Sequence, residues 1–147
     1  MGLMAKGLRA AVLLGLPLLA GATDEKSVIA YRERIMDALN EQAAAVGQIL
    51  SGAAPVDNTV AHFDAIALTA ATALKAFEPR VPGGEARPEV WAHWADFSKR
   101  MTEFAQKTAD VARLAHEQGK DAALAEAVGA LTCKGCHDSY RQEQKHP

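Results

Sequence analysis

Apolar residues recur at steps of three and four along four stretches of the chain, at residues 28–50, 60–77, 91–115 and 124–140. This spacing matches the turn of an α-helix and predicts four helices, each with one apolar face. No stretch shows the strict alternation of apolar and polar residues that is typical of a half-buried strand. Alanine, a strong helix former, is abundant, whereas β-branched and aromatic residues are sparse. The pattern therefore predicts an all-α fold.

The predicted inner faces share side chains that recur about one helical turn apart. In the first helix they are Val28, Arg32, Ile35, Met36, Leu39, Ala43, Val46 and Leu50. In the second they are Val60, Phe63, Ala67, Ala70, Leu74 and Phe77. In the third they are Trp91, Trp94, Phe97, Met101, Phe104, Thr108, Val111 and Ala115. In the fourth they are Leu124, Val128 and Leu131.

Proline and glycine mark the predicted helix ends. Pro55 follows the first helix and Pro79 ends the second. Residues 80–87, which are rich in breakers, form the one obvious loop. Pro88 suits the first turn of the third helix, which ends at Gly119. Four helices with short connections predict an up-down-up-down antiparallel bundle, a fold that builds cofactor sites in its core.

The segment Cys-Lys-Gly-Cys-His at residues 133–137 holds both cysteines of the chain. A Cys-x-x-Cys-His run is the attachment site of a c-type haem, in which the thiols form thioethers and the imidazole binds iron. On a helix, residues three and four apart share a face, so one haem edge and its iron can be reached together. The motif predicts one covalent haem c, held by Cys133 and Cys136, with His137 as an axial iron ligand.

Other interpretations of the two cysteines find less support in their surroundings. A thioredoxin-like dithiol should follow a strand in a βαβ pattern, and a zinc site needs a second pair of ligands. Neither context is present, because the remaining histidines, His62, His93, His116 and His146, are scattered along the chain. A structural disulfide is the third alternative.

The first 22 residues have the layout of a secretory signal peptide. Lys6 and Arg9 precede an apolar run at residues 10–19, and small residues follow up to Ala22. The run is short of the ~20 residues that span a bilayer, so a membrane anchor is the weaker interpretation. We expect cleavage after about Ala22, a single domain at residues 23–147, and a periplasmic location, which suits covalent haem attachment outside the bacterial cytoplasm.

The charge of the predicted mature chain argues against two classes of partner. Removal of Lys6 and Arg9 leaves 14 basic against 18 acidic residues, a formal net charge of −4. Such a balance provides no electrostatic attraction to nucleic acid or to an anionic membrane surface. We therefore expect neither as a partner.

Three segments resemble class II c-type cytochromes, the cytochrome c′ family. They are Tyr31-Arg32 with Met36, residues 83–91 with Phe97, and residues 133–141. The C-terminal position of the haem motif is specific, because class I cytochromes carry it near the N-terminus. The resemblance covers nearly all of residues 23–147. It implies a four-helix bundle with a covalently bound haem, His137 as the proximal ligand and residue 36 over the distal face.

The role of Met36 decides between two functions. A thioether ligand opposite His137 would give a low-spin, six-coordinate iron with a raised reduction potential. That arrangement predicts a periplasmic monohaem cytochrome that carries single electrons between redox partner proteins by Fe(III)/Fe(II) cycling. Alternatively, Met36 packs over the haem without binding it, because methionine fills irregular spaces well. The iron would then be five-coordinate and would bind nitric oxide or carbon monoxide.

The sequence contains no recognisable catalytic constellation. A nucleophile with its base, a phosphate loop and a substrate-orienting carboxylate pair are all lacking. No dedicated distal base is evident on the first helix, which argues against the peroxidase-like alternative. We expect a protein without enzymatic turnover.

The resemblance also implies contacts for two arginines. Arg32 would reach a haem propionate, with a solvated ion pair to Glu33 or Glu25 as the alternative. Arg141 would cover the proximal side of the haem, with a favourable position at a helix C-terminus as the alternative. Met101, in the middle of the third helix, is expected to be a core residue.

The family includes homodimers that pack the first two helices of each subunit together. The outward faces of residues 25–50 and 57–78 would carry such an interface. We assign to these faces Ala38, Ala45, Gln48, Ile66 and Ala73. A monomer and a homodimer through the first two helices both stay open at this point.

Overall fold

Helices make up most of the chain in the computed structural model, which describes residues 24–143. Its α-helices are α1 (Glu25–Leu50), α2 (Thr59–Ala73), α3 (Glu89–Ala92), α4 (Trp94–Gln118), α5 (Lys120–Ala130) and α6 (Cys133–Tyr140). Single 3-10 turns at Val56–Asn58 and Leu74–Ala76 precede and follow α2. The predicted signal peptide, residues 1–22, lies outside the described residues.

The bundle is formed by α1, α2, α4 and the pair α5–α6. Helix α2 packs against α1 and α4, and α4 packs against α5. Because the connections between these helices are short, neighbours run antiparallel. The prediction of an all-α four-helix bundle is confirmed.

The predicted third and fourth helices are each interrupted once. His93 adopts φ −115° and ψ 42° between α3 and α4. Leu131 and Thr132, with ψ values of 50° and 61°, separate α5 from α6. None of these residues is a glycine or proline, so the sequence carries no local signal for the breaks. The second interruption makes the helix with the haem motif a short, separate element.

One end of the bundle is packed with small side chains. The buried face of α5 consists of Ala123, Ala127 and Ala130, which lie against α4 and α2. The prediction of an inward-facing Val128 is wrong, because its side chain is 72% exposed. Because alanines allow close helix packing, α5 buries the face that carries its small side chains, and the larger valine is exposed to solvent.

Three further predicted orientations are wrong. Leu50 is 45% exposed, whereas Ile66 and Ala73, assigned above to an outward face, are fully buried. Helix α2 is in contact with helices on two sides, which explains why it buries more positions than one stripe. Leu68, at 73% exposure, lies on its outward face. A homodimer through α1 and α2 stays a prediction, and it would involve Leu68 rather than Ile66.

Aromatic residues occupy the other end of the core. Phe97 of α4 is in contact with the rings of Phe77 and Tyr140, at centroid distances of 4.9 and 5.2 Å. The Phe97–Tyr140 pair is edge-to-face, a favourable arrangement for two rings. Since Tyr140 belongs to α6 and Phe97 to α4, this cluster supports the helix that carries the haem motif.

The loop after α2 is held against α1 at two glycines. Gly83 and Gly84 have φ values of +128° and +60°, a region that side chains rarely adopt. A Cβ atom on Gly83 would lie 2.8 Å from Cδ1 of Ile29, and one on Gly84 would collide with Ile29 and Glu33. The close approach of loop and helix therefore requires both glycines.

We expect Gly84→Ala to lower the free energy of unfolding by about 1–2 kcal/mol from the left-handed backbone alone, with a further loss from the contact with Ile29. Gly47→Ala is the matched control, since Gly47 lies in α1 with no atom near the added methyl group. Alanine in a helix interior should stabilise by about 0.5–1 kcal/mol. Urea unfolding of both variants measures the difference. Equal effects of the two substitutions would contradict the close packing of this loop.

Candidate haem-binding site

A cavity of about 770 Å³ opens between α1, α4 and α6. Cofactor and ligand sites in proteins usually have volumes of about 300–1,000 Å³. Helix α1 lines the cavity with Met36, Leu39 and Ala43, and α4 lines it with Met101 and Phe104. The predicted haem-binding residues of α6 complete the wall. The bundle thus provides a site that is large enough for a haem.

Cys133, Cys136 and His137 all line this cavity. Before haem is attached, burial raises the pKa of each thiol above its ordinary value. At neutral pH they are therefore protonated, which is the form whose S–H adds across a haem vinyl group. The side chains predicted to attach haem lie together on the wall of the cavity that would hold it.

The imidazole of His137 is suited to bind iron. Burial, together with the positive charge of Arg141, lowers the pKa of His137 below its ordinary value. Glu85 and Asp138 act in the opposite direction but do not reverse the shift. The ring is therefore neutral at pH 7 and keeps the lone pair that a metal ligand needs.

The donors present suit a cofactor that brings its own iron. Among residues 24–143, no group of three or more His, Cys, Asp or Glu side chains is arranged to hold a bare metal ion. Two thiols and one imidazole on a wide cavity wall match the needs of a haem, whose porphyrin supplies the other iron ligands. The zinc interpretation of the motif gains no support from this arrangement.

The two methionines of the described chain both line the cavity. Met101 is buried in the aromatic cluster, in agreement with its predicted core role. Met36 is half-buried and packs against the same cluster from α1. Its position on the wall fits both interpretations given above, and its coordination to iron stays a prediction.

Arg32 is buried and bound to the loop after α2. Its Nη1 and Nη2 donate to the carbonyl oxygens of Val81 and Gly83, at 3.1 and 2.8 Å. Its guanidinium also lies 5.3 and 5.1 Å from the ring centroids of Phe77 and Trp91. The alternative of a solvated ion pair is wrong, because only 2% of the residue is exposed. Arg32 also lines the cavity, and its contact with a propionate stays a prediction.

Arg141 follows α6 directly and joins it to the same loop. Its Nε donates to Oε2 of Glu85 at 2.7 Å, and the side chain lines the cavity. Its backbone N–H caps α6 by donating to the carbonyl of His137 at 3.0 Å. The predicted contact with the proximal side of the haem stays a prediction, although the charge of Arg141 acts on His137.

Backbone hydrogen bonds that the sequence analysis did not predict close the end of the site at α6. The N–H of Arg87 donates to the carbonyl of Tyr140 at 2.9 Å, and that of Gln142 donates to the carbonyl of Glu85 at 2.8 Å. The two paired segments are more than fifty residues apart in the chain, so no local pattern could predict that they meet. We call this pairing of residues 85–87 with 140–142 the strap.

Tyr140 joins α6 to α4 through its hydroxyl group. It donates to Oδ2 of Asp96 at 2.5 Å, and the same oxygen accepts from Nε of Arg100 at 2.7 Å. The hydrogen bond to the carboxylate, reinforced by burial, raises the pKa of Tyr140 to about 12. From the sequence, Asp96 and Arg100 would be predicted to form an ordinary surface ion pair at positions i and i+4. Their contact with α6 is seen only in the fold.

This pKa shift predicts a loss of stability at alkaline pH. The phenol is protonated in both folded and unfolded chains below pH ~10, so the stabilisation from its bond is fully present there. It is lost as the pH rises towards the folded value of about 12. We expect Tyr140→Phe to show a smaller fall in urea midpoint over this range than the natural chain. Tyr31→Phe, which alters an exposed tyrosine, should leave the fall unchanged.

The thiols generate a second prediction. Replacement of Cys133 and Cys136 by alanine should release the haem into acidified organic solvent, whereas the natural exported chain should retain its haem after denaturation. His137→Ala should keep the haem covalently attached, because the thioethers do not depend on the imidazole. Haem staining after denaturing electrophoresis should therefore detect haem in the natural chain and in His137→Ala, but not in the double cysteine variant. Haem retention in the double cysteine variant would contradict the assignment.

Comparisons with known proteins agree with this site. Residues 27–141 match the family model described as Cytochrome C'. The chain is 28% identical over 124 residues to cytochrome c' of Alcaligenes xylosoxydans xylosoxydans, covering 81% of this chain and 96% of that protein. It is 30% identical over 126 residues to cytochrome c' of Pararhodospirillum photometricum, covering 80% and 98%.

A solved structure extends the likeness to three dimensions. It is a point mutant of cytochrome c prime from Alcaligenes xylosoxidans in complex with nitric oxide, with a TM-score of 0.74 and 25% sequence identity. The match covers 83% of this chain and 99% of that one. Proteins of this family carry a covalent haem c, in agreement with the motif in α6. The family match over nearly all described residues shows that this chain belongs to the cytochrome c′ family.

Proposed function

We propose that this cytochrome c′ binds nitric oxide or carbon monoxide at a haem iron that has His137 as its one protein ligand. The observation that carries the proposal is the composition of the cavity wall. Of the histidines in the described part of the chain, His137 alone lines the cavity. A second imidazole ligand is therefore lacking there, and the nitric oxide complex of a related cytochrome c prime supports a gas as the ligand.

The apolar part of the cavity wall contributed by α1 favours a small neutral ligand. Met36, Leu39 and Ala43 are spaced three and four residues apart, so they share one face of α1. None of them offers an N–H, an O–H or a charge. Arg32, Glu33, Asp37 and Asn40 of α1 line other parts of the cavity. Against the three apolar side chains, a charged ligand would lose hydration without compensation, whereas a neutral diatomic molecule loses little.

The chain keeps the imidazole of His137 in the neutral state that iron binding requires. A haem bound through two thioethers and one imidazole supplies an iron with one open coordination position. Because His137 is neutral, it can act as this imidazole without first losing a proton. Arg141 lies near it and is anchored by Glu85, so the charge beside the imidazole is fixed in place.

Electron transfer is the second candidate function, and the position of Met36 favours it. Its thioether lines the same cavity as His137, as a sixth ligand would have to. In that case the iron would be low-spin and six-coordinate, and the protein would exchange single electrons with redox partners. Family membership is compatible with this function, but the nitric oxide complex supports the first candidate more directly.

We further propose that the protein works in the periplasm and binds its ligand without catalytic turnover. The signal peptide predicted at residues 1–22 supports the location. Over residues 24–143, none of the helices is both long enough and apolar enough to cross a membrane.

Optical spectra of the reduced protein, with and without carbon monoxide, test the proposal. We expect a high-spin ferrous spectrum before the gas is added and tight binding afterwards. Met36→Leu should change the carbon monoxide association rate by less than about tenfold, a difference of about 1.4 kcal/mol, because the residue is only part of the wall. Met101→Leu is the matched control, since it alters the other methionine of the same cavity.

A different result would select the second candidate. A low-spin ferrous spectrum that becomes high-spin in Met36→Leu but not in Met101→Leu would identify Met36 as an iron ligand. The gas would then bind slowly to the natural chain and much faster to the variant.

A further inference from the structure

We propose that Asp96, Arg100 and Tyr140 form a clamp that fixes the orientation of α6, and with it the imidazole of His137, relative to α4. These three residues are positioning residues, since they act on the iron through His137. We refer to them as the α4–α6 clamp. The proposal requires that His137 binds iron and holds whether or not Met36 does so.

Helix α6 needs such a device because it cannot be stable by itself. It contains eight residues, and isolated helices shorter than about 12–15 residues are marginal in water. It is not a continuation of α5, because Leu131 and Thr132 lie outside the helical region of φ and ψ. Thr132 also provides no side-chain cap for its first turn. Its orientation must therefore come from tertiary contacts.

The clamp holds α6 on both sides of His137. Three residues after His137, Tyr140 donates its hydroxyl to Oδ2 of Asp96 at 2.5 Å. Two residues before His137, the carbonyl oxygen of Gly135 accepts from Nη1 of Arg100 at 3.2 Å. Arg100 is in turn fixed by its bond to Asp96. The carboxylate of Asp96 is thus the common point of both attachments.

The side chains of Asp96 and Arg100 are 50% and 43% exposed, and it is the buried Tyr140 that distinguishes the clamp from an ordinary surface ion pair. Tyr140 is 6% exposed, and its ring lies edge-to-face against Phe97 of α4. The guanidinium of Arg100 lies 6.0 Å from the centre of the same ring. A hydroxyl group brought into the core needs a hydrogen-bond partner, and Asp96 supplies it. The exposed ion pair of Asp96 and Arg100 would contribute little without these contacts to Tyr140.

The same helix offers a matched comparison. Arg113 of α4 is bonded to Asp110 and Glu117 at 3.3 and 3.0 Å, with spacings like that of Asp96 and Arg100. This second group is exposed, as Asp96 and Arg100 are, but among residues 24–143 the hydrogen bonds of Arg113 go to Asp110 and Glu117 of α4 itself. It therefore provides a similar ion-pair arrangement on α4, with one carboxylate more than the clamp, and without the attachment to α6.

Electron paramagnetic resonance of the ferric haem protein tests the proposal. Its g values depend on the geometry of the axial imidazole in both five- and six-coordinate iron. We expect Asp96→Asn, Arg100→Gln and Tyr140→Phe each to shift the g values beyond the spread of the control variants Asp110→Asn and Arg113→Gln. The Asp96→Asn shift should be the largest, because this substitution weakens both attachments. Adding Tyr140→Phe to it should change little further, as expected for residues that act as a unit.

A second control separates positioning from simple destabilisation. Phe63→Leu enlarges the space in the alanine-rich end of the core and should lower the unfolding midpoint without shifting the g values. Tyr140→Phe keeps the buried ring and so remains informative if Asp96→Asn fails to fold. The proposal is overturned if the g values of Tyr140→Phe and Arg100→Gln stay within the range of the controls, or if Phe63→Leu shifts them equally.

Discussion

The loop at residues 81–87 determines the geometry of the haem site, because it is bound to both of the helices that face each other across the cavity. Helix α1 is attached to it through Arg32, which donates to two loop carbonyls. The end of α6 is attached to it through the strap and the bond between Arg141 and Glu85. A cavity prevents its two walls from packing directly on each other. Their distance is therefore set by the loop that is in contact with each.

The attachment to α1 uses a buried positive charge, which is an unusual choice. Burial lowers the pKa of Arg32, but an arginine keeps its proton at neutral pH even so. The lost hydration is replaced by two carbonyl oxygens and by the faces of Phe77 and Trp91. Glycines at 83 and 84 let the loop come close enough for these bonds. Removal of any one partner would leave the charge poorly solvated, which makes this corner of the fold intolerant of change.

The sequence was sufficient to predict what depends on local pattern. Helical periodicity gave the all-α bundle, and the spacing of Cys133, Cys136 and His137 placed them together on one cavity wall. Prediction from the sequence failed where contacts between distant segments determine the position of a side chain. Val128 lies outside because the alanines beside it allow close packing, which a search for large apolar residues overlooks. The bonds that attach α6 through the strap and the α4–α6 clamp span 35 or more positions of the chain, so no local pattern predicts that these residues meet.

Covalent attachment through the two thiols on the cavity wall would make the stability of the fold independent of the concentration of free haem. A cofactor held without a covalent bond stabilises a fold according to its free concentration, and dilution removes that stabilisation. A tethered cofactor has an effective concentration fixed by the chain itself. The cavity end of the bundle would then keep its support in a compartment with no pool of free haem, where a reversibly bound haem would be lost.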